Sequence, residues 1–219
     1  NGYKYDRAVS ASFEDMLIQR MNDPESNGIP VIGAVNTGIY MDETITMHTQ
    51  GALEQTGNSL DLAIRGSGYF TVQTVNGERY TRGGSFYIDN EGYMSFGRGC
   101  RAVGENGLVR PFTDNISVDA EGHIFADEVY LDTLRMVDFT DTSLLVKEGS
   151  LLYRNDGGEG NMEVFSGDVS QGYIEGSNVD IAGELTRLME SMQNYQSNQR
   201  IIQMLDHSLE KTVNEIGRV

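Results

Sequence analysis

A single cysteine, Cys100, occurs in 219 residues. It excludes an internal disulfide and any metal site built from several thiolates. Arg98 and Arg101 flank it, charges of the kind that lower a thiol pKa, but a lone cysteine reads more simply as an inert small residue. Tryptophan is absent and proline occurs only 3 times. Lys and Arg total 16 against 33 acidic residues, a formal net charge of −17. That balance speaks against nucleic acid and anionic membrane surfaces as partners, since both select clustered cations. No run of apolar residues is long enough for a transmembrane helix, so direct membrane insertion is not expected. No signal peptide is visible, and the opening Asn1-Gly2-Tyr3-Lys4 has no Met, so the chain reads as trimmed or processed.

The usual catalytic motifs are missing as well. His48, His123 and His207 form no His-x-x-x-His pair, and neither a Gly-x-Ser-x-Gly elbow nor a Gly-Lys-Ser/Thr phosphate loop occurs. Gly97 to Ala102 imitates part of a dinucleotide fingerprint, but it lies among turn signals with no helix after it. Carboxylates are numerous, yet nothing in their spacing selects a glycosidase pair. The expectation is a protein that is not an enzyme and has no catalytic, cofactor-binding or metal residues.

Glycine is plentiful, with 26 residues. Dense glycine with scarce proline predicts many short strands joined by tight turns. Residues 1–59 read as an extended linker region with a short helix near 12–21, where Phe13, Met16, Leu17 and Arg20 share one face. From Leu60 the period becomes two: Leu60, Leu62 and Ile64 alternate with Asp61 and Ala63, and Phe70, Val72 and Thr74 continue. Asn76-Gly77 predicts a hairpin between strands near Tyr69–Val75 and Glu78–Thr81. Ile88-Asp89-Asn90-Glu91-Gly92-Tyr93-Met94 is echoed by Val118-Asp119-Ala120-Glu121-Gly122-His123-Ile124. Both read as hairpin turns in which Asp caps its own backbone and Gly takes the left-handed position; EF-hand spacing is absent from both. Residues 60–170 are therefore expected to form an antiparallel β domain.

The last segment, 171–219, differs sharply. Ser177-Asn178-Val179-Asp180 offers a capping-box pattern, Glu184 to Ile216 contains neither Gly nor Pro, and Gly217 stands at the expected stop. Leu185, Leu188, Met192, Tyr195, Gln199, Ile202, Asp206, Leu209, Val213 and Ile216 step by three and four, the heptad of a coiled coil. Met189, Ile201 and Leu205 widen the stripe. The expected fold class is thus mainly β with a long C-terminal α-helix: hairpins plus a coiled-coil-forming terminal helix. Its expected assembly seam is Leu185, Leu188, Met192, Tyr195, Ile202, Leu205, Leu209, Val213 and Ile216, an exposed stripe of the kind that marks association.

Two stretches also carry a resemblance. Gly51-Ala52-Leu53-Glu54-Gln55-Thr56-Gly57-Asn58-Ser59-Leu60-Asp61-Leu62-Ala63-Ile64, followed by Gly66-Ser67-Gly68-Tyr69-Phe70, resembles the signature of bacterial flagellar hook–basal-body rod proteins. Gly172-Tyr173-Ile174-Glu175-Gly176-Ser177-Asn178-Val179-Asp180 resembles that family's lead-in to its C-terminal helix. Phe13-Glu14-Asp15-Met16-Leu17 fits another family segment. The ending, Asn214-Glu215-Ile216-Gly217-Arg218-Val219, is similar to the proximal-rod (F-type) branch, with the distal-rod (G-type) branch as the alternative. The resemblance implies a structural subunit without cofactor, exported by the flagellar type III apparatus. It would stack helically with other copies of itself and with neighbouring rod and hook proteins, and would carry motor torque to the hook and filament. It further implies a location in the basal body, beyond the cytoplasmic membrane, and an N-terminal helix, absent from this sequence, as partner of the C-terminal one. A second reading from the residues is a secreted β-rich binding module with an oligomerising C-terminal helix, its surface built on Tyr69, Tyr80, Tyr87 and Tyr93.

Overall fold

A computed structural model describes residues 1–13, 16–19, 31–35, 38–97, 99–113 and 115–216, with the backbone alone described at 16–19, 31–35 and 215–216. The chain forms two compact units, residues 1–178 and 179–219. Among the described residues the strands of the first all pair antiparallel, with short 3-10 turns at Thr142–Leu144 and Glu159–Asn161, and the second is one long helix, α1, spanning Ile181–Ile216.

The main sheet runs in the order Leu145–Glu148, Leu152–Asn155, Gly77–Thr81, Tyr69–Thr74, Cys100–Gly104, Met94–Phe96 and Phe86–Ile88. Met136–Phe139 pairs with Tyr69–Thr74 as well as with Met162–Val164. A separate three-stranded sheet joins Ile116–Val118, His123–Ala126 and Val129–Thr133.

Period-two alternation in the central strands sorts side chains between two apolar clusters. Phe70 and Val72 pack with Leu62, Ile64, Phe86, Met94 and Ile124. Tyr69 points the other way, to Tyr80, Val137, Phe139 and Tyr153. Both faces are covered, so Asp61 and Ala63, expected on the polar side of the alternation, are buried too. The Asp61 carboxylate accepts the Thr56 hydroxyl at 2.7 Å.

The echoed heptapeptides are twin hairpin turns. The Asp89 carboxylate accepts the amides of Glu91 and Tyr93 at 2.8 and 3.0 Å, and Asp119 accepts the amide of His123 at 2.8 Å. Gly92 and Gly122 sit at φ of +83° and +86°, the left-handed region that glycine enters without steric cost. The Asn76-Gly77 hairpin also forms, one residue out of the expected register. Thr74 pairs with Gly77, so Val75-Asn76 makes the turn and Gly77, at φ +103°, opens the return strand.

The first 59 residues correct the sequence reading. No helix forms in the described part of 12–21; Met16–Gln19 is a strand paired with Val31–Val35. Residues 14–15 and 20–21 of the expected helix lie outside the described residues. Met16-Leu17-Ile18 is a short apolar run, which periodicity cannot assign to helix or strand, and its partner is rich in β-branched residues. The expected linker also carries strands. Asp6–Ser12 pairs with Ile39–Thr46 in an antiparallel ribbon that shifts register between Val9 and Ser10. Both faces of Ile39–Thr46 are largely exposed, so burial imposes no alternation for the sequence to display.

Candidate assembly site

The two stretches that carry the resemblance lie far apart in sequence but are adjacent in the fold. Leu53–Gln55 pairs with Tyr173–Glu175, and Leu62–Arg65 pairs with Asp168–Gln171. Glycine permits the closest approach: a Cβ on Gly51 would stand 2.3 Å from the carbonyl oxygen of Gly176.

At this junction Glu175, fully buried, is held by two cations. Its Oε1 accepts Lys4 Nζ at 2.5 Å and the Gly51 amide at 2.8 Å, while its Oε2 accepts Arg82 at 3.3 Å. Lys4, also fully buried, donates in addition to the Thr49 carbonyl at 2.8 Å, and Arg82 to the Gly66 carbonyl at 2.8 Å. Burial pulls the Lys4 ammonium below its usual pKa against the opposing pull of Glu175. Backbone bonds reinforce the ions. The Gly2 amide donates to the Glu175 carbonyl at 2.6 Å, and the Tyr5 amide to Asn178 Oδ1 at 2.7 Å. Asn178 Nδ2 in turn donates to the Met47 carbonyl at 2.7 Å. Three chain segments, 2–5, 47–51 and 175–178, are thereby tied together immediately before the terminal helix. Pairing is what makes a buried charge tolerable, since an isolated one is strongly disfavoured.

α1 begins one turn earlier than the Gly-free run. Asp180 precedes its first residue, so Asp180 rather than Ser177 stands at the cap position, and Gly183 falls inside the first turn. A Cβ on Gly183 would come within 2.6 Å of the Asp180 carboxylate, so glycine leaves room for that group. Asp180 and Glu184 put negative charge at the positive end of the helix dipole. The 36 residues give a length of about 54 Å at 1.5 Å per residue.

The structure places every residue of the expected seam on α1. Leu185, Leu188, Met192, Tyr195, Ile202, Leu205, Leu209 and Val213 are all between 51% and 70% exposed. Ile216 ends the helix, and its side chain lies outside the described residues. Gln199 and Asp206, within the stripe, are exposed as well. No helix among the described residues is long and apolar enough to cross a membrane.

Two family models match the chain: the flagellar basal body rod FlgEFG protein C-terminal, over residues 170–215, and the flagellar hook protein FlgE/F/G D1 domain, over residues 63–126. The flagellar basal-body rod protein FlgG of Bacillus subtilis is 31% identical, over 97% of this chain and 87% of its own length. The chain belongs to the flagellar basal-body rod protein family. Among other rod-family relatives, FlgG of Buchnera aphidicola subsp. Acyrthosiphon pisum is 33% identical, over 96% of this chain and 86% of its own. FlgF of Caulobacter vibrioides is 31% identical, over 87% and 76%.

Other groups in this rod-family chain read as structural. Tyr69 and Tyr80 are buried, so the four tyrosines of the binding-module reading form no common surface. Asp119, Glu121 and His123 bring potential ligand atoms within 4.8 Å, but the Asp119 carboxylate already accepts the His123 ring nitrogen and amide within its own turn. Cys100 is buried, and burial pushes its thiol pKa up, away from the reactive thiolate. The Lys4–Glu175–Arg82 triad had no signal in sequence spacing, because its members stand at positions 4, 82 and 175.

Proposed function

We propose that the chain is a structural subunit of the flagellar basal-body rod, beyond the cytoplasmic membrane. In this reading it polymerises helically with other copies of itself and with neighbouring rod and hook proteins. It leaves the cytoplasm through the flagellar export apparatus and passes motor torque outward to the hook and filament. It performs no catalysis, uses no cofactor and takes no nucleic acid as partner.

The observation that carries this reading is the long, exposed apolar stripe of α1. Burying one side chain of the size of Leu or Met against a partner contributes about 1.5–3 kcal/mol, so eight such residues are a strong drive to associate. A strict heptad drifts by about 20° per repeat on a straight helix, and a partner that stays on it must supercoil left-handed. A heterologous contact that does not close then propagates as a helical polymer. Stiffness under twist comes from such packed seams.

Deletion of the gene tests the reading. Cells without it are expected to lose hook–basal bodies and swimming, and a plasmid copy restores both. Intact hook–basal bodies in the deletion strain would contradict a rod role.

A further inference from the structure

Within reach of the charges of Lys4 and Arg82 lies His48, a titratable group for which assembly has no evident use. Its Nδ1 is 2.7 Å from the Tyr69 hydroxyl, and its ring packs edge-on against Tyr69 and Tyr153, with centroids 6.0 and 5.2 Å away. Charges from several segments act on it: Lys4 and Asp6 from the N-terminal segment, Arg82 after the strand Gly77–Thr81, and Lys147 from Leu145–Glu148. Glu175 neutralises Lys4 and Arg82, and Asp6 neutralises Lys147 at 2.7 Å. Three cations thus meet two carboxylates before His48 is counted. A protonated His48 would be a fourth cation against two anions, wedged between two tyrosine rings. Water reaches it, because His48 lines a cleft of about 560 Å³ together with Asp6, Thr46, Lys147 and a further carboxylate, the exposed Glu43 of the strand Ile39–Thr46.

The segment that carries His48 also carries the acceptors that hold the N-terminus. Thr49 gives its carbonyl to Lys4, and Met47 and Thr49 give theirs to Asn178, which holds the Tyr5 amide. Moving His48 out into water therefore withdraws the acceptors of Lys4 and Asn178 together. The sheet strands Tyr69–Thr74 and Gly77–Thr81 are paired through their own backbones, so their ladder survives the departure of His48, with only the Tyr69 hydroxyl and ring giving up a contact.

We propose that this junction is an acid-released clasp, in which protonation of His48 expels residues 47–50 from the β body and frees residues 2–5 with them, while the sheet stays folded. The inference concerns the isolated subunit and stands apart from the rod reading. Burial, followed by the repulsion of Lys4, Arg82 and Lys147, lowers the His48 pKa from 6.5 to about 4, so the clasp is shut at neutral pH. Burial alone would raise the Asp6 carboxyl, but Lys147 and Thr46 outweigh it and hold it below the usual range, so Asp6 stays ionised in that window.

Hydrogen exchange of the folded chain, read by mass spectrometry and corrected for intrinsic rates, tests this. In the wild type, peptides covering residues 1–5 and 47–51 should lose protection as pH falls from 6.5 towards 4, by about tenfold per pH unit, the slope of a one-proton opening. The strand Tyr69–Thr74 should stay protected. In His48→Gln, which keeps a hydrogen-bonding side chain without the titration, the same peptides should show no such slope. Equal slopes in the two proteins, or a wild type that stays protected to pH 4, would overturn the proposal. Should the variant not fold, the wild-type His48 ring, followed by NMR, decides. It should titrate together with the opening, and a ring that titrates near 6.5 while residues 1–5 remain protected would overturn it.

Discussion

Replacing Glu175 with glutamine preserves the side chain's shape and removes only its charge. The substituted amide still offers an oxygen to the Gly51 N–H, but Lys4 and Arg82 lose their shared counter-ion at a site where Lys4 is fully buried and Arg82 only 4% exposed. Breaking a buried pair by removing one partner costs about 3–5 kcal/mol, because the remaining charge is left uncompensated. An independent ceiling comes from Lys4. The variant relieves the strain by releasing the lysine proton, and from a normal value of 10.5 that release at pH 7 costs at most about 5 kcal/mol. The two routes agree on a loss of about 3–5 kcal/mol, a large share of the roughly 5–15 kcal/mol that a domain has. Urea unfolding reads it as a midpoint lower by about 1–2 M, with the slope unchanged. Lys4→Met is the internal control. It leaves the carboxylate with Arg82 and the Gly51 amide, so it should cost clearly less than Glu175→Gln. A loss under about 1 kcal/mol for Glu175→Gln, or the reverse order of the two variants, would refute the electrostatic account of the junction.

Gly84→Ala should cost more than about 3 kcal/mol in thermal or urea unfolding, because the new Cβ would fall 1.5 Å from the Leu62 carbonyl oxygen, a backbone atom that cannot swing aside. Gly160→Ala, where a Cβ meets open space, should stay within about 0.5 kcal/mol of wild type. The His48 titration has a stability consequence too. The unfolded chain binds a proton near pH 6.5 and the folded one only near 4, so stability is complete above 6.5 and falls as pH drops through that window. The full shift corresponds to about 3 kcal/mol, and the ring's partial exposure reduces it. In His48→Gln this component should vanish from the pH dependence of the urea midpoint.

Local chemistry was legible in the sequence wherever one residue type settles the backbone. Whereas the cap before α1 falls at Asp180, three residues after the Ser177 that the capping-box pattern indicated, the Asp-x-Glu-Gly turns at 89–92 and 119–122 belong to this group. So does the hairpin at Gly77, although the one positive-φ residue lies after the turn and not in it. The helix was legible because 33 residues without Gly or Pro and with a heptad stripe have few other uses. The ribbon Asp6–Ser12 with Ile39–Thr46 was not legible. It is exposed on both faces, and a strand without a buried face writes no alternation. The central strands mislead in the opposite way: they are buried on both faces, so Asp61 and Thr71 lie inside although they read as outward. The junction at Glu175 was hidden for a third reason. A triad assembled from positions 4, 82 and 175 has no spacing to detect, and only the fold brings Lys4 and Arg82 to one carboxylate. The seam follows from the helical period and from apolar character, which give the stripe on a helix without naming what covers it.

The central claim is that α1 assembles the rod through that stripe. Electron microscopy of hook–basal bodies from cells whose only copy of the gene carries Leu188→Asp and Ile202→Asp tests it most directly. Both positions are more than half exposed on α1, and each substitution puts a charge where the proposed partner would pack. The account predicts cells that make the subunit but lack complete rods and do not swim. Complete rods and normal swimming would contradict it.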